Sequence, residues 1–425
     1  MKTHELISLI KLGQYNEQFY DVYLDKAKIE YQKDRYIKAL KLFAEYYGDN
    51  DVSVYSAPGR SEIGGNHTDH QHGQVLAASV NVDAIAVVEK IDEPCVYVKS
   101  HGFDPKNVSL DSLAKIDDEE ETTGALIRGV LAKCKENGYK IGGFKAYIVS
   151  DVLVGSGLSS SAAFETLIGT IVSGLYNDWE ISPIEIAKIG QYAENVYFGK
   201  PSGLMDQMAC SVGSLVHIDF ADIENPIIEK VELDLESYGY SMCITDTRGS
   251  HADLTADYAA IPKEMKQVAH YFDREVLGNI DIDSILKSVR NIRESAGDRA
   301  VLRALHYACE NERVGLEVDA LKNGNFHDFL AQVKKSGDSS YKYLQNVYSS
   351  RNIEHQNLSI ALAASDIVLG DLGASRVHGG GFAGTIQAFV PNDLVETYKN
   401  TMEDVFGKNT CQIMKIRKYG GIKVM

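Results

Sequence analysis

Leu153-Val154-Gly155-Ser156-Gly157-Leu158-Ser159-Ser160-Ser161-Ala162-Ala163-Phe164-Glu165 stands between two patterns of different period. Before it, Phe144 to Val149 is an apolar run that reads as a buried strand. After it, Phe164, Leu167, Ile168, Ile171, Val172 and Leu175 form the 3.6-residue stripe of an amphipathic helix. The stretch is therefore a strand-to-helix turn. Its glycines and three consecutive serines present unblocked backbone N–H groups and hydroxyls at a helix N-terminus, where the dipole favours an anion. A phosphate fits that description, and a serine-capped helix after a glycine turn is the plainer alternative. No G-x-x-x-x-G-K-[ST] pattern occurs and no lysine follows the turn, so it is not a standard P-loop.

With 425 residues and 44% apolar content, the chain is long enough for two packed domains and too apolar to be disordered. Its six cysteines (Cys95, Cys134, Cys210, Cys243, Cys309, Cys411) form no C-x-x-C pair, which argues against a disulfide scaffold, a zinc site or a redox pair. Charge interrupts the N-terminus within a few residues, and no apolar run approaches the length of a membrane span. The expectation is a soluble cytoplasmic protein without membrane or nucleic-acid partners, monomeric or weakly self-associating. A net charge of −17 repels nucleic acid at long range, so any anion site must be built locally from backbone amides and a few basic residues.

Along the chain, residues 1–50 read as a helical extension, with Tyr36, Leu40, Phe43 and Tyr47 at helical spacing. A strand begins at Val52 and is expected to break at Pro58-Gly59, ahead of a polar run ending at Gln74; a second strand covers Ala84 to Glu89. Glu120 to Asn137 has a helical pattern. Ser182-Pro183-Ile184-Glu185 combines a serine cap, proline at the first helical position and glutamate three residues on, and it launches a helix through Tyr197 that carries Glu194. Strands are expected at Ser214 to Phe220 and Tyr240 to Thr245, with a domain boundary between them. This gives a first domain over 51–225 and a second over 226–425. Helical patterns fill Ala252 to Phe272, Arg299 to Leu321 and Phe326 to Val347, and strands return around His378 to Gly384, Thr385 to Val390 and Gln412 to Ile416. Such mixing without strict βαβ alternation indicates an α+β fold.

Four glycine-bearing segments occur in order: Pro58-Gly59-Arg60-Ser61-Glu62-Ile63-Gly64-Gly65-Asn66-His67-Thr68-Asp69-His70, Gly155 to Ala162, Gly203-Leu204-Met205-Asp206-Gln207, and Val377-His378-Gly379-Gly380-Gly381-Phe382-Ala383-Gly384. Together they resemble the galactokinase branch of the GHMP small-molecule kinases, from about residue 52 onward. The resemblance implies a two-domain GHMP kinase fold: an N-terminal domain of ribosomal-S5-like topology, a C-terminal domain with a ferredoxin-like core, and ATP bound between them. The γ-phosphoryl group would pass to the anomeric hydroxyl of a galactose-configured sugar, a reaction that needs positioning and charge neutralisation.

By the same resemblance, Gly155, Ser156, Gly157, Leu158, Ser159, Ser160 and Ser161 would line the ATP phosphates. Ser161 and Glu194 match the Mg²⁺ positions, and hard oxygen ligands suit that ion. Asp206 matches the catalytic aspartate and Arg60 the arginine beside it, while Asn66, His67, Asp69, Gly203 and Tyr258 match sugar-contacting positions. A metal reading of the polar run Asn66 to His72 is disfavoured, because alternating spacing on one strand or loop rarely closes a tetrahedral site. Loop 379–384 would pack near nucleotide and substrate.

Two departures bear on the sugar. Asn66 stands where galactokinases carry glutamate, and Asp69-His70-Gln71 with Gly73 and Val75 resembles the galacturonokinases. An asparagine amide could donate to a uronate where glutamate would repel it, so galacturonate stays open beside galactose. A non-catalytic sugar sensor is a further alternative, which retention of Ser160, Ser161, Arg60 and Asp206 opposes; a non-sugar alcohol such as mevalonate is opposed by His67-Thr68-Asp69 and Tyr258.

Overall fold

The computed structural model describes residues 1–152, 157–250 and 254–425. Its first half is built on strands β1 (Ser53–Gly64), β2 (Gln74–Lys90), β3 (Cys95–Ser100), β4 (Lys106–Ser109), β5 (Phe144–Ser150), β6 (Leu215–Asp219) and β7 (Ile227–Val231). The sheet runs β1-β2-β5-β3-β4, with β6 and then β7 added along the first part of β2. Among the described residues, only β3 and β5 pair in parallel. β2 is long because nearly every residue from Val75 to Val88 is buried and most are apolar, which suits a strand covered on both faces.

Successive residues feed opposite faces. Val54, Ile85 and Val87 pack under α1 (Thr3–Lys11), α2 (Asn16–Tyr23) and α3 (Ile29–Tyr47), so the N-terminal residues brace the outer face of the sheet. Tyr55, Ala57, Ala84, Ala86 and Val88 pack under α4 (Thr123–Glu136), α5 (Ser160–Tyr176) and α6 (Pro183–Tyr192). The period of two with apolar residues on both sides makes three layers.

Asp83 fastens the N-terminal helices to the sheet. It is completely buried. Its carboxylate accepts from Arg35 Nη1 at 2.6 Å, from Arg417 Nη1 at 2.9 Å, from the Tyr23 hydroxyl at 2.8 Å and from Ser56 Oγ. Arg35 Nε also lies 3.2 Å from Asp151. Burial pushes the Asp83 carboxyl up, but the guanidinium charges of Arg35 and Arg417 outweigh it and hold the group below the usual carboxylate range.

β1 corrects one expectation: it does not break at Pro58-Gly59 but continues to Gly64, with register shifts between Pro58 and Arg60 and between Glu62 and Gly64. Proline is tolerated at such an irregularity because no ladder donor is demanded of it. Arg60 is thereby held in a strand. α6 starts as its sequence signal requires, with Ser182 Oγ accepting from Glu185 N at 3.2 Å, and it continues into a π-helical segment, Ala193–Phe198, that carries Glu194 and ends on Gly199 at φ 86°. The short helix α7 (Met205–Val212) was not legible beforehand.

The second half contains β8 (Tyr240–Asp246), α8 (Thr255–Tyr271), α9 (Ile282–Ala296), α10 (Asp298–Lys322), α11 (Phe326–Ser339), α12 (Asn357–Leu369), β9 (Ala374–His378), β10 (Thr385–Pro391), α13 (Val395–Phe406) and β11 (Cys411–Met414). Its antiparallel sheet is ordered β11-β8-β10-β9. The glycines after His378 form the loop between β9 and β10, not a strand. The chain then leaves this sheet, and β12 (Ile422–Lys423) pairs with β1. One apolar core spans both halves: Ile63, Leu76 and Val80 meet Met242, Val314, Val318, Phe329 and Phe389. Among the described residues no helix is long and apolar enough to cross a membrane.

Candidate active site

β1 delivers Arg60 beneath the turn that precedes α5. Its backbone N–H donates to Leu158 O at 3.0 Å and its Nη1 to Gly157 O at 2.5 Å. The rest of the guanidinium forms a fork on Asp206, in the first turn of α7, with Nε to Oδ1 at 2.6 Å and Nη2 to Oδ2 at 3.0 Å. Such bidentate, charge-assisted pairs are strong and directional. Ser159 Oγ also donates to Asp206 Oδ2, at 2.6 Å. Burial pushes the Asp206 carboxyl up, but the Arg60 charge and these hydrogen bonds prevail and hold it below its ordinary range, so the group is a carboxylate at neutral pH.

Ser159 takes a left-handed conformation, φ 57°, and makes no capping bond. With its hydroxyl on Asp206, the N–H groups of the first turn of α5 stay open to another acceptor. Gly157 sits close to β10: a Cβ there would stand 2.5 Å from Thr385 Oγ1, and its φ of 73° is one that glycine takes without strain. Leu158 is buried in the shared core. Gly155 and Ser156 lie outside the described residues.

Glu194 is buried and meets the same turn two residues later, where Ser161 Oγ donates to its Oε1 at 2.8 Å. Lys200 Nζ donates to Oε1 at 2.9 Å, and Ser202 Oγ and Gln207 Nε2 donate to Oε2 at 2.6 and 2.9 Å. Gln207 reaches back to the buried Glu165 at 3.0 Å. Lys200, Ser202 and Gln207 are not marked as site residues by the sequence motifs; Gln207, next to Asp206, is the one local signal. Two adjacent residues of α7 thus link the two carboxylates around one serine turn.

On the opposite side, Asp69 lies over Gly203, where any Cβ would collide with its carboxylate. Burial first, then the negative charge of Asp206, raises the Asp69 carboxyl to about 6. Tyr258 packs its ring edge-on to Phe382, at 5.3 Å between centroids, and donates its hydroxyl to Gly381 O at 2.7 Å. Gly380 passes so close to that ring that a Cβ would stand 2.9 Å from it.

Asn66 and His67, expected at the sugar, already carry hydrogen bonds within the protein. Asn66 is completely buried, and its side chain has no hydrogen-bonding position left. Its Nδ2 donates to Glu62 Oε1 at 2.9 Å and to Gly379 O at 2.8 Å, while its Oδ1 accepts from Ser340 at 3.2 Å and Asn346 at 2.8 Å. It clasps the two halves together. Both ring nitrogens of His67 are likewise engaged, Nδ1 with His70 Nε2 at 3.3 Å and Nε2 with Gly380 O at 3.0 Å. Glu62, Asn346 and Arg376 were missed because the contacts that bring them together, Arg376 on Glu62 and Asn346 on Asn66, join residues hundreds of positions apart.

The fold and this serine-flanked turn define the GHMP class of small-molecule kinases. Residues 125–214 match the GHMP kinases N terminal domain, and residues 41–90 match the galactokinase galactose-binding signature. The galactokinase of Actinobacillus pleuropneumoniae serotype 5b is 29% identical over 376 residues, 88% of this chain and 94% of that protein. The galactokinase of Enterococcus faecalis is 30% identical over 365 residues, 84% and 90% respectively. Among solved structures, Lactococcus lactis galactokinase complexed with galactose superimposes with a TM-score of 0.77 at 25% identity, covering 90% of this chain and 98% of that one. The mevalonate kinase of Methanococcus jannaschii shares the fold, with a TM-score of 0.59 at 15% identity over 86% and 99% of the two chains. The chain belongs to the galactokinase family. It is a kinase whose acceptor is an alcohol group.

Proposed function

We propose that the protein is an ATP-dependent, Mg²⁺-assisted sugar-1-kinase that converts galactose to its α-1-phosphate. The observation that carries this reading is the fork of Arg60 on Asp206, closed by Ser159. A carboxylate kept ionised beside a phosphate-binding turn can orient the anomeric hydroxyl and take its proton as the phosphoryl group moves. Arg60, bonded to both the carboxylate and the Gly157 carbonyl, holds that base in line with the turn and offsets charge on the transferring group. Asp69, beside Gly203, supplies an acceptor for a ring hydroxyl, and Tyr258 with loop 379–381 forms the wall behind it. In this reading residues 51–225 carry the phosphate turn and the acceptor side, 226–425 supply that wall, and 1–50 brace the sheet.

The donor set suits a magnesium ion. Ser161 Oγ and the Glu194 carboxylate are hard oxygen donors 2.8 Å apart, and the carboxylate already receives a cation, the Lys200 ammonium. When bound there, the ion would neutralise charge on the ATP phosphates. Open N–H groups at the start of α5, flanked by Ser160, receive the phosphate oxygens.

Charge favours a neutral sugar over a uronate. The carboxylates of Asp69 and Asp206 face the acceptor side, Arg60 is already paired, and the Asn66 amide, once the candidate partner for a uronate, is used up inside the protein. A coupled ADP-release assay over galactose, galacturonate, N-acetylgalactosamine, glucose and arabinose tests this reading: galactose turns over fastest, and absence of turnover with every galactose-configured sugar overturns it.

A further inference from the structure

His70 and Gln71 have no part in the chemistry above, yet their hydrogen bonds run in one direction only. The backbone N–H of Leu277 donates to Gln71 Oε1 at 3.1 Å, which fixes the amide and turns its NH₂ toward His70 Nδ1, also at 3.1 Å. An NH₂ group donates, so Nδ1 of His70 accepts and the ring proton sits on Nε2. That Nε2 lies 3.3 Å from His67 Nδ1, which must then accept, leaving the His67 proton on its own Nε2. There it meets Gly380 O at 3.0 Å, a group that can only accept. The carbonyl end and the amide end demand the same pair of tautomers independently.

We infer that His70 is a positioning residue for sugar phosphorylation: it holds His67 in the Nε2–H tautomer, and the resulting chain from Leu277 to Gly380 fixes the Asp69 turn against the glycine loop. Asp69 opens the short 3₁₀ turn Asp69–Gln71, so the chain grips the acceptor on both sides, through His67 before it and through His70 and Gln71 after it. The far end is equally constrained. Asn346 Nδ2 donates to the same Gly380 carbonyl at 3.2 Å, and the Tyr258 hydroxyl donates to Gly381 O. Burial pushes both imidazoles down, to about 4 for His67 and about 3 for His70, which keeps each ring neutral and each tautomer defined. The kinetic consequence rests on the sugar-kinase reading; the tautomers rest on geometry alone.

Long-range ¹H–¹⁵N correlation spectra of the full chain labelled on histidine test the assignment, with His70→Phe and His70→Gln as variants and galactose and ATP as substrates. In the wild type both rings carry their proton on Nε2. His70→Phe removes the donor to His67, whose signals move toward a tautomer mixture, and raises the KM for galactose about tenfold, roughly the worth of one hydrogen bond, with the KM for ATP unchanged. His70→Gln restores an N–H toward His67 and recovers most of that loss. An Nδ1–H tautomer on either wild-type ring overturns the inference, as do equal losses in both variants or a His70→Phe enzyme with unchanged spectra and galactose KM. If His70→Phe fails to fold, the wild-type spectra still decide. If the wild type phosphorylates no sugar, the functional reading fails alone and the spectra still judge the tautomers.

Discussion

Asp83 and Asp206 are each held in the grip of arginine, and they differ in what is left over. Asp83 is fully enclosed, with two guanidinium groups and two hydroxyls on its carboxylate. Asp206 has one guanidinium and one hydroxyl, and 28% of its side chain remains exposed toward the cleft. Saturated on all sides, the first can only join elements; partly open, the second can still receive a proton. The same pair of residue types therefore serves architecture in one place and reactivity in the other, and enclosure decides which.

The comparison is broken most sharply at Asp206. Asp206→Asn keeps the shape and removes the basic oxygen, so kcat falls by about 10³-fold, while galactose binding by calorimetry and the melting temperature stay near wild type. Asp83→Asn should do the reverse. It leaves Arg35 and Arg417 buried around a neutral amide and lowers unfolding free energy by about 3–5 kcal/mol, measured by urea titration, with kcat per folded molecule preserved.

A third carboxylate sharpens the contrast through pH. Asp69 has no guanidinium on it, and burial with Asp206 nearby raises it from 3.8 to about 6. A raised carboxyl is protonated below its shifted value, so kcat/KM for galactose drops about tenfold per unit as pH falls below 6. Asp206, held below its ordinary range, stays ionised over the same interval. Smallest is Lys200→Met. Its side chain is 57% exposed, so solvent screens its pairing with Glu194. Its removal frees the carboxylate and lowers the Mg²⁺ concentration for half-maximal rate by about twofold.

Local signals carried far in this chain. Ser182-Pro183-Ile184-Glu185 started a helix where its chemistry demanded one, and the apolar run at Phe144 is β5. Arg60, Asp206 and Ser161 with Glu194 meet as their motifs implied. What failed was local reasoning about non-local partners. Pro58-Gly59 reads as a break, but β2 offers a register that accommodates it. Nothing nearby in sequence announces that Gly379, Ser340 and Asn346 will take up the hydrogen bonds of Asn66. The same holds for His67: Gly380, which meets its Nε2, is 313 residues away. α9, α12 and α13 lie outside the helical patterns expected from the sequence.

The return of the chain to β1 bears on how the protein is made. Arg417 and β12 complete the ion cluster around Asp83 and the edge of the first sheet, yet a whole second half is translated before they emerge. At typical elongation speeds that delay is on the order of tens of seconds. During it, a nascent chain has Arg35 as the one guanidinium on Asp83 and β1 with one side unpaired, the kind of strand edge that recruits wrong partners. Translation order thus makes β12 a latch: the first half can begin to fold early, but its sheet edge closes only after β12 has been translated.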